Sequence, residues 1–314
     1  MITKLALFSL CTLALWGADS DFNGRWNIDV KTPRGRVWWL EVQGAGTGKL
    51  TGNFVGAPGG QVDSIQGMRI ENGELVFSFA RKPALKQTFR ARFDTLNGVA
   101  LLRGTREEVV DGKPSPVLSW TASRAPVLRE KDDGSWKPGR TVELFDGKST
   151  AGWHLLLAGQ PDWFVQDGLL RNNKGASDLV SDAAFWNIEV RAEFRHAKGA
   201  NSGIALRGRY EIQIYDNFGK PPDQHGTGSL YSRIAPGVNA SKAPGEWQTM
   251  TIRLIGRDLT VVLNGTTVID RREVVGPTAM VMSPKEDTPG PIVLQGDHGL
   301  VEFRRLQVVE LVNR

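Results

Sequence analysis

The tightest constraint this sequence places on its own fold is its punctuation. Short runs of strand-forming residues stop again and again at Gly, Asn, Asp or Pro, and helical spacing of apolar residues is nearly absent. Asn72-Gly73, Asn97-Gly98 and Asn264-Gly265 each sit between two such runs. Asn-Gly is what a two-residue hairpin turn demands, because both central residues need positive φ. With 36 glycines and 10 tryptophans over 314 residues, the pattern predicts an all-β chain with room for two domains. A hydrophobic content of 40% is ordinary for a globular protein.

Residues 1–18 read as a secretory signal peptide: Lys4, then an apolar run from Leu5 to Trp16, then small residues at Gly17-Ala18. The run is too short for a transmembrane span and no later segment competes, so stable membrane insertion is not expected. The chain is expected to be exported, either periplasmic or secreted. Cys11, the only cysteine, leaves with the signal, and Ser9-Leu10 before it argue against a lipoprotein. The mature chain then holds together without disulfides. The formal charge of +5 is spread over dispersed Lys and Arg, so no nucleic-acid partner is expected.

Residues 20–125 alternate through pieces such as RWNIDV, RVWWLEVQG and ENGELVFSFA. About eight short strands at this spacing predict a small antiparallel β-barrel or sandwich. The opening FNGRWNI resembles the G-x-W start of lipocalin-like barrels, which implies an accessory domain. Residues 126–139, PVLREKDDGSWKPG, lack periodicity and read as a linker. From residue 140 to 314 almost every piece is strand-like again, predicting a two-sheet jelly-roll β-sandwich.

Within that second domain, GANSGIALRGRYEIQIYD puts the most polar chemistry on the most regular strand. Ile212 and Ile214 alternate with Glu211, Gln213 and Tyr215, so one face is core and the other carries a carboxylate, an amide and a phenol. That row suits a carbohydrate site or a solvated sheet face. A three-residue turn over Gly208, Arg209 and Tyr210 places Arg207 opposite Glu211, either to line the site or to form a surface ion pair. Asp216 follows Tyr215 and faces away from Glu211 unless the strand bulges. His298, in GDHG, is the most site-like histidine, a candidate acid or base near neutral pH. His154 is expected to be packed, and His196 and His225 to be exposed on loops. Lys242 and Tyr231 are candidate sugar contacts, whereas Trp247 is assigned to the core. No HxH or HExxH spacing supports zinc, and no cofactor is evident. A divalent cation such as calcium, held by Asp and backbone oxygens, would leave no mark in the sequence.

Several pieces in order resemble a known family: LFDGKSTAGW, the W-x-V-x-D-G-x-L element from Trp163 to Leu170, NSGIALRGRYEIQIYD, GSLY, NASKAPGEW, LTVVLNG and GPIVLQGDHGLVEFRRL. Together they look like the 3-keto-disaccharide hydrolase domain, with a concanavalin-like lectin/glucanase fold, over residues 142–311. The resemblance implies cleavage of glycosides already oxidised at C3 by a separate sugar 3-dehydrogenase. It implies C2 deprotonation, elimination and hydration, with Glu211, His298 and Asp216 as catalytic candidates. Arg207, Gln213, Tyr231, Lys242 and Gln295 are the candidate substrate contacts. The chain departs from the family by one extra residue between Gln295 and His298. The row E-x-Q-x-x-D also lacks the middle carboxylate of laminarinase-like sandwiches, which weakens a retaining two-carboxylate mechanism. The other readings are an ordinary glucanase and a non-catalytic lectin-like module.

Overall fold

The structure, a computed structural model, describes residues 18–30, 36–56, 62–82, 85–159, 162–278, 280 and 282–313. Cys11 and nearly all of the segment read as a signal peptide lie outside the described residues. Among the described residues the chain is all-β apart from one 3-10 turn, Asp19–Phe22.

Strands from Gly24 to Arg124 form one ten-stranded antiparallel sheet, two more strands than the sequence spacing suggests. Its hydrogen-bonded path runs from Val62–Ser64 at one end to Gln66–Glu71 at the other. Only Ile65 separates these two strands, and its N–H donates to the Gly52 carbonyl at 2.9 Å. The two ends of the sheet therefore meet, and it closes into a barrel. Trp38, Phe54, Phe77 and Phe89 fill the interior, with Phe77 stacked on Phe89 at 4.8 Å between ring centres. This is a packed core of interdigitated rings. Trp26 of the G-x-W start donates to the Phe22 carbonyl at 2.9 Å and is covered by the Arg124 guanidinium at 4.3 Å.

The rest of the chain folds as two packed antiparallel sheets. The first has five strands, in the order Trp153–Leu155, Leu179–Phe185, Gly290–Leu294, Asn201–Leu206 and Tyr210–Tyr215. The second has eight, centred on Val301–Asn313, Ile188–His196 and Gln248–Ile255. All three predicted Asn-Gly turns are present, with Asn72, Asn97 and Asn264 at φ of 51, 52 and 50°. The shared core takes Ile204, Ile212, Ile214 and Leu294 from the small sheet and Val190, Phe194, Ile252 and Phe303 from the large one. Burying such side chains stabilises by roughly 1.5–3 kcal/mol each, and strict alternation leaves the other face of the five-stranded sheet for chemistry.

The stretch between barrel and sandwich is strapped down. Asp132 receives both arms of the Arg253 guanidinium at 2.7 and 3.1 Å, and Glu130 accepts from the Trp186 indole at 3.0 Å. A strand begins at Trp136, inside the stretch read as a linker.

Candidate active site

Hairpin register sets the site. Leu206 pairs with Tyr210, Ala205 with Glu211 and Gly203 with Gln213. The loop is Arg207-Gly208-Arg209, with Arg207 and Gly208 at φ of 52 and 60°. The expected pairing of Arg207 with Glu211 is thus corrected by two residues, which leaves Glu211 and Gln213 on their predicted face. The cause is the fate of the guanidinium. Buried Arg207 donates to the Trp186 and Gly256 carbonyls at 2.8 and 2.9 Å and lies over the Trp186 ring. It is spent on closing the sandwich and does not line the Glu211 face.

Glu211 is only 1% exposed, and its Oε2 has no hydrogen-bond partner. Its side chain lies across Gly203 on the neighbouring strand: a β-carbon at that glycine would stand 2.6 Å from Oε1. With its amide nitrogen turned toward the carboxylate, Gln213 donates to Glu211 Oε1 at 3.3 Å and to the Ser202 carbonyl at 3.1 Å. Gly203→Ala is therefore expected to displace the carboxylate. Its thermal midpoint should drop by only a few degrees, while turnover drops at least about tenfold. Comparing thermal unfolding with turnover tests this; full activity in a folded variant would show that the carboxylate has room to spare.

Burial, first of all, pushes the Glu211 carboxyl up to about 8, and the charges of Asp178 and Asp297 push it the same way. Asp178 immediately precedes the strand Leu179–Phe185. Burial holds it up at about 6; the Gly296 N–H, donating at 3.1 Å, and His298 pull it down, and Asp297 opposes them. Gln295, next to Gly296, has a buried Oε1 without a partner, and its N–H donates to the Gly203 carbonyl at 3.0 Å. Asp178, Gln295 and Glu211 thus share one sheet face, with the strand Asn201–Leu206 between the last two and the Glu211 side chain reaching back across its Gly203. Burial, and then the Glu211 charge, also raises the Tyr231 phenol, which keeps it a neutral donor.

Two members of this group, Asp178 and Asp297, were not singled out in the sequence. Asp178 sits in SDLVSD with no motif around it, and only the strand order makes it a neighbour of Glu211. Asp297 is the extra residue between Gln295 and His298, and it pairs with the His298 ring at Nδ1. His298 thus reaches the group electrostatically, from an exposed position.

Other candidates lie elsewhere. Asp216 accepts the Gly199 N–H at 2.8 Å, tying the open end of the hairpin. Lys242 donates to the Trp247 carbonyl at 3.0 Å, on the loop entering the eight-stranded sheet. Trp247 is not core: its ring is flanked by Arg195 and Arg304 at 4.8 and 4.4 Å. His154 is exposed and bonded to Asp182 at 2.7 Å, whereas His196 is buried at a strand end, the reverse of both expectations. Among the described residues, no three His, Cys, Asp or Glu side chains converge as a metal-binding group.

Residues 140–309, more than half of the chain, match the family described as the 3-keto-alpha-glucoside-1,2-lyase-like domain. The chain belongs to this family. Among curated proteins it is similar to a 3-keto-disaccharide hydrolase of Bacteroides thetaiotaomicron, 27% identical over 148 residues. That match covers 35% of this chain and 51% of the relative, so the chain spans about half the length of the curated protein. Among solved structures it is similar to a candidate glycosyl hydrolase from Parabacteroides distasonis, with 27% identity and a TM-score of 0.47 over 59% of this chain and 92% of that one. A carbohydrate-binding module from Bacillus subtilis follows at 12% identity and a TM-score of 0.36, covering 50% of this chain and 94% of the module. The lyase-like family region coincides with the sandwich and includes Asp178, Glu211, Gln295 and His298.

Proposed function

We propose that the chain cleaves 3-keto-glycosides, carried by one feature of the site: a buried carboxyl, Glu211, and a half-buried one, Asp178, held at different protonation states. Near neutral pH the pair keeps one proton, on Glu211, while Asp178 is ionised. The C3 ketone of such a substrate acidifies the C2 hydrogen. Asp178 takes that proton, and Glu211 delivers its own to the glycosidic oxygen as the C1–O bond breaks. The aglycone leaves as an alcohol, and a C1=C2 double bond conjugated with the ketone remains. Water then adds at C1, giving one proton to the Glu211 carboxylate, while Asp178, half-buried and able to exchange its proton with solvent before water adds, protonates C2. The balance is one water consumed and one glycosidic bond broken, with no redox change and no cofactor invoked. In this reading Tyr231 donates to the developing enolate oxygen, and Gln295 Oε1 accepts from a sugar hydroxyl. Glu211 thus serves as acid before it serves as base.

Because the substrate arrives as a ketone, a sugar 3-dehydrogenase has to act before this chain. Export of the chain belongs to the same proposal. The deciding assay offers a 3-keto-disaccharide and its unoxidised parent to the purified protein in deuterium oxide. Only the keto sugar should be cleaved, and early product should carry deuterium at C2. Cleavage of the parent would instead assign a glucanase, binding without turnover a lectin, and cleavage without deuterium a direct displacement.

A further inference from the structure

The N-terminal barrel has no part in the chemistry above, yet one patch of its outer wall is buried. Trp38, Leu40 and Val42 point into the barrel core, so Trp39 points outward. Trp39 is nevertheless 2% exposed, and Asn27, its cross-strand neighbour, is 1% exposed. What covers them comes from the sandwich. Gly276, at φ +70°, lies so close to the Trp39 ring that a β-carbon there would stand 2.9 Å from a ring carbon. The Asn27 amide donates to the Pro284 carbonyl at 2.9 Å, and Arg25 pairs with Glu273 at 3.0 Å.

The segment gripped in this way carries Thr278, Met280 and Met282, and its other side meets the hairpin that bears Glu211. Thr278 Oγ1 accepts the Glu211 N–H at 2.9 Å, while the Thr278 N–H donates to the Arg209 carbonyl at 2.9 Å. The Met282 N–H donates to the Gly208 carbonyl at 2.8 Å. Met280 packs with Val180, Ala205 and Val293 on the same sheet face as Glu211, and so helps to exclude water from the carboxyl. Met280 and Thr278 belong to no strand or helix. A segment without ladder bonds of its own is drawn from the low-stability end of a structure unless something outside it holds it.

We propose that the barrel is a clamp for the active site: Asn27 and Trp39 hold the segment of Thr278 and Met280 against the Glu211 hairpin, and so act as positioning residues for the reaction. This rests on the catalytic role given to Glu211. The clamp accounts for why an accessory barrel is fused to a sandwich that already has its own core. It also means that the barrel acts without touching the sugar.

The test uses the full chain with Asn27→Ala, Trp39→Ala and, from the opposite side of the contact, Gly276→Val. Amide hydrogen exchange is followed at Glu211, Thr278 and Met282, with the N–H of Gln213, which shares a strand with Glu211 and donates to the Ser229 carbonyl, as the internal reference. Exchange at the first three should quicken by about tenfold or more while Gln213 holds. On a 3-keto-disaccharide, kcat should fall about tenfold or more with KM within about twofold, since alignment and not sugar contact is lost. Unchanged exchange in all three variants overturns the clamp. So does faster exchange at Thr278 with kcat intact. Faster exchange at Gln213 and throughout the barrel would mark general destabilisation and also count against it. If the parent chain itself fails to cleave the keto sugar, the proposed reaction falls, and the exchange data alone decide whether the barrel holds the segment.

Discussion

Glu211→Gln is expected to lower kcat on a 3-keto-disaccharide by about 10²–10⁴-fold, the usual weight of a positioned proton donor, with KM little changed. The amide matches the carboxylic acid in size and can still face Gln213, but it delivers no proton to the leaving oxygen. The parent's kcat/KM should follow a bell: rising as Asp178 ionises near about 6, and falling as Glu211 loses its proton near about 8. The variant should lose the alkaline limb. Stability gives a second readout, independent of turnover. The folded Glu211 pKa lies above its ordinary 4.5, at about 8, so between those values the folded chain binds more protons than the unfolded one. Its stability contribution is therefore greatest at low pH and is lost as pH climbs through that window. Glu211→Gln should flatten this slope in thermal unfolding followed across it. Identical slopes in both chains would mean that Glu211 ionises as a solvated carboxylate, and full turnover by the variant would remove it from the mechanism.

Glu286→Ala should be the most damaging single change to stability, at roughly 3–5 kcal/mol. Glu286 is fully buried, accepts from the Tyr210 hydroxyl at 2.7 Å and pairs with Arg257 Nη1. Arg257 also donates to the Pro126 carbonyl at 3.2 Å, joining the sandwich to the strap that leads from the barrel. Truncation leaves a guanidinium and a phenol buried without their shared acceptor, and an unpaired buried charge costs more than the pair was worth. Glu286→Gln keeps an acceptor for both groups and should lose less. Urea unfolding of the two variants checks the ordering. Parity between Glu286→Ala and the parent would mean that water reaches Arg257 in the folded chain.

The secondary structure was legible because turn chemistry and alternation are local. Asn-Gly pairs forced the hairpins at Asn72, Asn97 and Asn264, and the face carrying Glu211 and Gln213 followed from the spacing of Ile212 and Ile214. Ordered motifs from LFDG to GPIVLQ pointed to the family. The roles of the arginines could not be read in the same way, because a guanidinium satisfies whatever carbonyls the fold brings near it. Arg207 therefore looked like a site residue and is a structural one. His154 and His196 exchanged their expected environments for the same reason, since burial is decided by what packs over a strand end.

By itself, the sequence determined an all-β chain, a small barrel or sandwich followed by a larger sandwich, and a polar strand with Glu211 at its centre. Each of these depends on neighbours within a few residues, where backbone geometry dictates the answer. Tertiary structure alone decided that Asp178, more than thirty residues earlier in the chain, stands close enough to Glu211 for the two charges to compete. It alone decided that Glu211 is dry, and that a barrel wall reaches the segment behind it. Proton affinity in a buried site is set by charges and solvent several ångströms away in space, and separation along the chain does not encode that distance.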